Sequence, residues 1–355
     1  MTPEIAGRAA AALIDARLNR RWLILRQLRF SILDAAFAVL LFAVLLFTVP
    51  DAAAQAYPTR PVRIIVPFSP GGPADFLPRL VGGKLSEMWG QPVVVENRTG
   101  AAGNIGMSIG AKATPDGYTL ISAPVGNLAI NPHMYSNLSY DVFKDFTPIT
   151  LVGTVQNVLV VSPSVPANNL ADLLALAKAQ PGKLTFGSGG LGSQNHMAGE
   201  LLKAMGNVDL LHVPYKGIGD AVTALLGGQI SMAFVQISSV KAHIDSGRLR
   251  ALGVASAQRS PALPNVPTLN EAGSFKGLEA VSWYALVGPA GMPRDVVRKI
   301  QAGAAQVLQM PDVRERLQSI GADPVGSTPE SLLAHMHAEY DRYGPIIRKL
   351  GIKAE

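Results

Sequence analysis

Cysteine is absent from the 355-residue chain, which excludes disulfides, thiolate metal sites and cysteine nucleophiles together. Charge is sparse: 16% of residues are charged, and 31 basic against 25 acidic side chains leave a thinly spread +6. No Lys/Arg cluster is interleaved with aromatics, so no nucleic-acid partner is expected. Neither GxSxG nor GxxxxGK[ST] occurs, so a nucleophile elbow and a P-loop have no support. The six histidines are scattered. His335 and His337 stand two apart on a helical stretch and face different sides, so no metal site is expected there. No cofactor is expected either. Glycine (35) and proline (26) are what the chain has in quantity, and they punctuate it.

The clearest punctuation follows Val62–Phe68, a short β-branched-rich run that reads as a buried strand. Ser69-Pro70-Gly71-Gly72-Pro73 then ends the strand. Leu77, Leu80, Val81, Leu85 and Met88 recur every three or four residues, as on the apolar face of a helix. A strand, a glycine turn and a helix start make an anion cradle, because free first-turn N–H groups and the positive end of the helix dipole point into the turn. Asp75 lies in that turn as a helix cap, a ligand contact or both. The design recurs at Lys183–Phe186, Gly187-Ser188-Gly189-Gly190-Leu191-Gly192-Ser193 and the helix after it. Two such loops suggest two lobes facing one cleft. Neither loop contains Arg or Lys, so a bound carboxylate would be held by N–H groups, hydroxyls and helix dipoles. Gly72 and Gly189 are therefore expected to resist a β-carbon.

Strand-like and helix-like segments alternate over most of the chain, which predicts an α/β fold with largely parallel sheets. Leu151–Ser162 and Leu278–Pro289 read as two crossings, and 293–355 as mostly helical. The expected division is 57–157 and 283–355 for a discontinuous first lobe, with 158–282 as the second. The loop 123–132 falls at a strand's C-terminal end, where ligands bind in open α/β sheets. His196 follows the second glycine loop and either packs or touches ligand. Tyr215 and Trp283-Tyr284 either line the cleft or fill the core, with the core expected for Trp283.

Residues 1–56 differ in kind. Arg17, Arg20, Arg21, Arg26 and Arg29 precede the apolar block AAFAVLLFAVLLFTV, and Ala54-Gln55-Ala56 supplies a cleavage motif. The block is 15 residues long, short of the roughly 20 that span a bilayer. An exported, periplasmic protein cut after Ala56 is expected. Retention as a membrane anchor is the rival reading.

Residues 57–355 resemble the Bug-type receptors, the periplasmic substrate-binding proteins of tripartite tricarboxylate transporters. The resemblance is carried by YPTRPVRIIVPFSPGGPAD, GQPVVVENRTGAAGNIG, ATPDGYTL, LAINPHMY, VPYKG, GRLRALGVASAQRSPALPNVPTLNEAG and GADPVGSTPE, in order along the mature chain. It implies a two-lobed, type II-like periplasmic-binding-protein fold with two hinge strands and a cleft between the lobes. It further implies a monomeric, non-enzymatic receptor that delivers a small carboxylate to integral-membrane transporter subunits. The contacts implied in the first lobe are Phe68, Ser69, Gly71, Gly72 and Asp75, with Pro124, Val125, Gly126 and Asn127. Those in the second are Ser188, Gly189, Gly192, Ser193, His196 and Tyr215, with Val235 and Gln236. Three positions depart from the family pattern. Pro78 requires the first helix to start late or kink. Pro124-Val125 and Val235-Gln236 replace more polar pairs, which allows a less polar ligand. Two alternatives stay open: a sensor that passes ligand occupancy to a membrane partner, and a nucleotide-dependent α/β enzyme. Gly187-x-Gly189-x-x-Gly192 fits a dinucleotide fingerprint, but Asp209 begins the next strand, whereas the fingerprint needs its acid at that strand's end.

Overall fold

In the computed structural model the described residues are 57–354, without 274 and 276. The expected export signal, its cleavage point and the rival anchor lie outside them. Among the described residues no helix is long and apolar enough to cross a membrane.

The first sheet starts with β1 (Val62–Val66), which leads through the glycine turn into α1 (Pro73–Trp89). β2 (Val93–Asn97), α2 (Asn104–Ala111) and β3 (Thr119–Pro124) follow. A π-helical turn at Gly126–Ile130 and the short α3 (Asn131–Met134) lead to β4 (Phe146–Val155). Gln156 separates β4 from β5 (Asn157–Val161), which begins the second sheet. That half continues with α4 (Leu170–Ala179), β6 (Thr185–Ser188), α5 (Gln194–Gly206), β7 (Leu211–Pro214) and α6 (Ile218–Leu226). It ends with β8 (Met232–Gln236), α7 (Ile237–Asp245), β9 (Arg250–Val254) and α8 (Leu269–Gly273). The chain then returns through β10 (Ser282–Pro289), α9 (Arg294–Gln309), α10 (Pro311–Ser319), β11 (Ala322–Pro324) and α11 (Pro329–Leu350).

The two sheets run β11-β4-β10-β3-β1-β2 and β7-β6-β8-β5-β9. They are mixed, where largely parallel sheets were expected. The βαβ units are parallel, as β1 is to β2 and β3 and β6 is to β7 and β8. The strands next to the crossings are antiparallel: β10 to β3 and β4, and β5 to β8 and β9. A strand that has just arrived from the other lobe has no helical crossover to turn it parallel. Asn157 pairs with Gln236 in the second sheet and Ser282 with Val155 in the first.

The second sheet is covered on both faces, which explains its near-continuous apolar strands. In β5, Leu159 and Val161 pack with Phe186, Leu202 and Phe234, while Val158 and Val160 pack with Val222, Leu225 and Val240. In the first lobe Trp283, Tyr343, Met336 and Ile347 join the core behind β10, so Trp283 is a core residue.

Helix α1 continues through Pro78, its sixth residue. Pro78 has no N–H to offer the carbonyl of Ala74. The buried hydroxyl of Ser122 on β3 donates to that carbonyl at 3.2 Å instead. The expected late start is therefore absent, because a side chain from the sheet satisfies the freed group.

Candidate functional site

The strand ends of both sheets meet at one cavity. From the first half it is lined by Phe68, Ser69, Gly72, Pro73 and Ala74 of the first glycine turn, and by Pro124, Val125 and Gly126 after β3. From the second half come Gly189, Ser193, Gln194, Asn195, Ile218 and Gln236. Ser282 and Tyr284 on the returning strand close the floor. No charged side chain lines it. Its volume is about 40 Å³ for the centre of a water molecule; one water needs roughly 10–15 Å³ on that measure. The space suits a small organic molecule.

The lobes touch around this cavity. Ser69 Oγ donates to Asp220 Oδ2 at the start of α6 (2.9 Å). Tyr343 Oη, on α11, donates to Gln194 Oε1 on α5 (2.8 Å). Tyr135 Oη reaches the carbonyl of Leu191 at 3.4 Å. Gly192 has φ +81°, and a β-carbon there would collide with the amide oxygen of Asn131 on the first lobe. A β-carbon on Gly72 would lie 2.8 Å from the Ile218 side chain across the cleft. One on Gly189 would come no nearer than 3.4 Å to any atom. Against the chain's own atoms, a β-carbon is thus crowded at Gly192 and Gly72 and has room at Gly189.

Several expected contacts sit one layer behind the wall. Asp75 is buried and receives Arg79 Nε at 3.0 Å on both oxygens and Asn97 Nδ2 at 2.8 Å. It does not cap α1, whose cap is Gly72 with no side-chain bond. Asn97 Nδ2 also holds the carbonyl of Phe68 at 2.9 Å, so this ion pair braces the first loop from beneath. Gly71 also lies outside the lining. Asn127 is fully buried and donates to Ala102 O and Asn104 Oδ1 at 3.0 and 3.1 Å.

Behind the second loop, Ser188 Oγ lies 2.6 Å from His212 Nε2 and accepts from Gly190 N at 3.0 Å. His196 Nδ1 accepts from Gly192 N at 3.2 Å, which places its proton on Nε2. Burial pushes His196 down to about 3, helped by His212 and then Lys203. Burial, then Lys203, takes His212 down to about 4. Both rings are therefore neutral at neutral pH, and they support the loop with their centroids 4.3 Å apart and their planes tilted by 35°. Tyr215 donates its backbone N–H to Ser188 O at 3.0 Å and, half-buried, packs against the core of which Val235 is a part. Ser193 caps α5 by accepting from His196 N at 3.3 Å.

Gln236 does face the cavity. Its Nε2 lies 3.0 Å from Ser282 Oγ and 3.1 Å from Tyr284 Oη, and its Oε1 has no partner. Burial raises the phenol pKa of Tyr284, so the hydroxyl stays protonated. The same polar floor ties the two crossings together. Asn157 Nδ2, at the first, donates to the carbonyl of Ala280 and to Ser282 Oγ at the second.

Sequence reasoning missed Pro73, Ala74, Gln194, Asn195, Ile218 and Ser282. Gln194 and Asn195 follow the capping Ser193 directly, and polar residues in a first helical turn beside a glycine loop were the available signal. Ser282 and Ile218 carried none, since both reach the cavity through tertiary folding. Among the described residues no cluster of side chains suited to a metal ion occurs.

Two α/β lobes, crossed twice and closing over a small cavity between their strand ends, define a solute-binding receptor. The family described as "Tripartite tricarboxylate transporter family receptor" matches residues 77–352, and the chain belongs to it. Bordetella pertussis BugT is 37% identical over 85% of this chain and 92% of its own. Among solved structures, periplasmic binding protein BugD is 34% identical with TM-score 0.81, covering 84% of this chain and all of its own. Rpa4515 of R. palustris, solved with adipate, is 37% identical (TM-score 0.81, 84% of this chain and 99% of its own). MatC from Rhodopseudomonas palustris, with bound malate, is 32% identical (TM-score 0.79, 82% and 100%). The family is one of receptors, so the dinucleotide reading of the second loop is not favoured.

Proposed function

We propose that this receptor captures a small carboxylate between its lobes in the periplasm and delivers it to the membrane subunits of a tripartite transporter. The observation that carries this is an uncharged cavity between the lobes, bordered by the glycine-flanked starts of α1 and α5. Anions are favoured at helix starts, where N–H groups lack intrahelical partners. A charged hydrogen bond of this kind contributes about 1.5–3 kcal/mol, so a few converging donors offset the desolvation of a carboxylate. Relatives hold the carboxylates adipate and malate, which supports a carboxylate as the class of ligand. In this reading the site residues are those on the cavity wall, while Asp75, Ser188, His196 and Tyr215 act by holding the loops. The protein works as a monomer without a catalytic step, and its first 56 residues are removed after export.

A thermal-shift screen of the purified protein against mono-, di-, tricarboxylic and aromatic acids tests this. Ligand at a hundredfold excess over its dissociation constant stabilises by about 2.7 kcal/mol, a visible shift. Stabilisation by nucleotides and by no acid would overturn the reading. N-terminal sequencing of the exported protein should begin at Tyr57.

A further inference from the structure

Asn195 lines the cavity from the first turn of α5 and is 4% exposed. Its amide has only one possible sense. Nδ2 lies 2.8 Å from the carbonyl of Phe234 and 3.2 Å from Asn157 Oδ1. A carbonyl oxygen can only accept. The amide of Asn157 is fixed in the same way, because its Nδ2 donates to the carbonyl of Ala280 and, at 3.0 Å, to Ser282 Oγ. Asn157 Oδ1 must then be the acceptor for Asn195. Both hydrogens of Asn195 Nδ2 are thus occupied, and its Oδ1 is left without a donor from the described residues. Gln236 differs: hydroxyls give or take a proton, so its amide can turn to suit a ligand. The cavity wall contains no Lys, Arg or His to serve Asn195.

A second carboxylate oxygen brought to this wall would meet Asn195 oxygen against oxygen. We propose that the ligand carries, beside its carboxylate, a hydroxyl or ammonium group whose hydrogen is received by Asn195 Oδ1. The receptor then selects hydroxy- or amino-carboxylates over the donor-free acid of the same skeleton. This rests on the cleft being a carboxylate site. A site that hydrogen-bonds a ligand's donor discriminates against the analogue lacking it, because the buried acceptor is then left unpaired.

The test is isothermal titration with three series: succinate, malate and aspartate; glutarate, 2-hydroxyglutarate and glutamate; propionate, lactate and alanine. In a series that binds, the donor-bearing acid should bind at least about tenfold more tightly than its parent, or about 1.4 kcal/mol, with one enantiomer preferred. Comparing the hydroxy and amino members identifies the donor. Asn195→Leu should erase the preference; a preference kept in that variant would assign it elsewhere and overturn the proposal. The wild-type ratios decide the matter independently of that variant's folding. Parents that bind as tightly as their hydroxy and amino derivatives would overturn this proposal and leave the carboxylate reading standing. Failure of all nine acids, with other acids stabilising the protein in the thermal-shift screen, would overturn this proposal alone.

Discussion

The two glycine loops have similar sequences and stand on different foundations. Behind the first lies a charged assembly, in which Asp75, Arg79 and Asn97 bond to one another and to the carbonyl of Phe68. Behind the second lie two neutral imidazoles, His196 and His212, bonded to Gly192 N and Ser188 Oγ. Their faces differ too. The first loop presents backbone and apolar surface through Phe68, Pro73 and Ala74, and the second presents carboxamides through Gln194 and Asn195. A strand–glycine–helix pattern specifies the cradle and leaves both the support and the chemistry of the wall to residues around it.

The sharpest way to break the comparison is at the lobe contact. Gly192→Val puts a side chain at φ +81° and against Asn131, a clash that opening the lobes relieves. The variant should fold, losing about 1–2 kcal/mol from the left-handed backbone, and remain open. Titration of a wild-type ligand should show affinity lower by about a hundredfold or more, an opening cost near 3 kcal/mol. Solution scattering should show no contraction on ligand addition, whereas a contraction equal to wild type would remove Gly192 from the closing face.

Acid should weaken the second foundation. His196 has a folded pKa well below that of the unfolded chain, so unfolding takes up a proton between the two values. Its stabilising contribution is complete above pH 6.5 and declines as pH falls toward about 3. Denaturant unfolding at pH 7 and 4.5 should differ by roughly 2 kcal/mol from this residue. His212 adds a loss of the same sign. A flat profile over that range would mean the rings are protonated or solvated in the native protein.

Tyr343→Phe removes the bond that α11 makes to Gln194 across the cleft. Burial raises this phenol to about 12, so it is a neutral donor at working pH. Leaving Gln194 Oε1 unpaired in the closed form costs about 1–2 kcal/mol, and affinity should fall about tenfold with little change in unliganded stability. Equal losses in both would place the bond in the open form as well. Asp75→Asn should have the smallest effect. Arg79 is 46% exposed, so solvent screening reduces the ion pair to about 1 kcal/mol. Stability should drop by that amount, while relative affinities for different acids stay within about twofold. A changed order of preference would put Asp75 in contact with ligand after all.

Much of this plan was readable from residues alone. Strand, glycine turn and helix start appear in the spacing of Val62–Leu85, and the cavity does receive Phe68, Ser69, Gly72, Gly189, Ser193 and Gln236. The crossings showed as apolar runs, but their direction did not, because antiparallel pairing depends on where a returning strand lands. The wall residues were confused with those behind them for a related reason. Asp75 and His196 lie close to the loops in sequence, yet which side of a helical turn faces the cleft depends on the packing of the other lobe. Asn195 carries no signal of its own in the sequence, because the partners that orient its amide, Phe234 and Asn157, lie 39 and 38 residues away.

Pro78 has a consequence for how the first lobe behaves as a frame. A helix start held only by its own hydrogen bonds frays. Here the Ala74 carbonyl, released by the proline, is fastened to Ser122 in the middle of the sheet. The turn that offers Ala74 to the cavity is thus anchored laterally, and its conformational entropy is lost when the chain folds. Less of that turn's freedom then remains to be given up when a ligand binds.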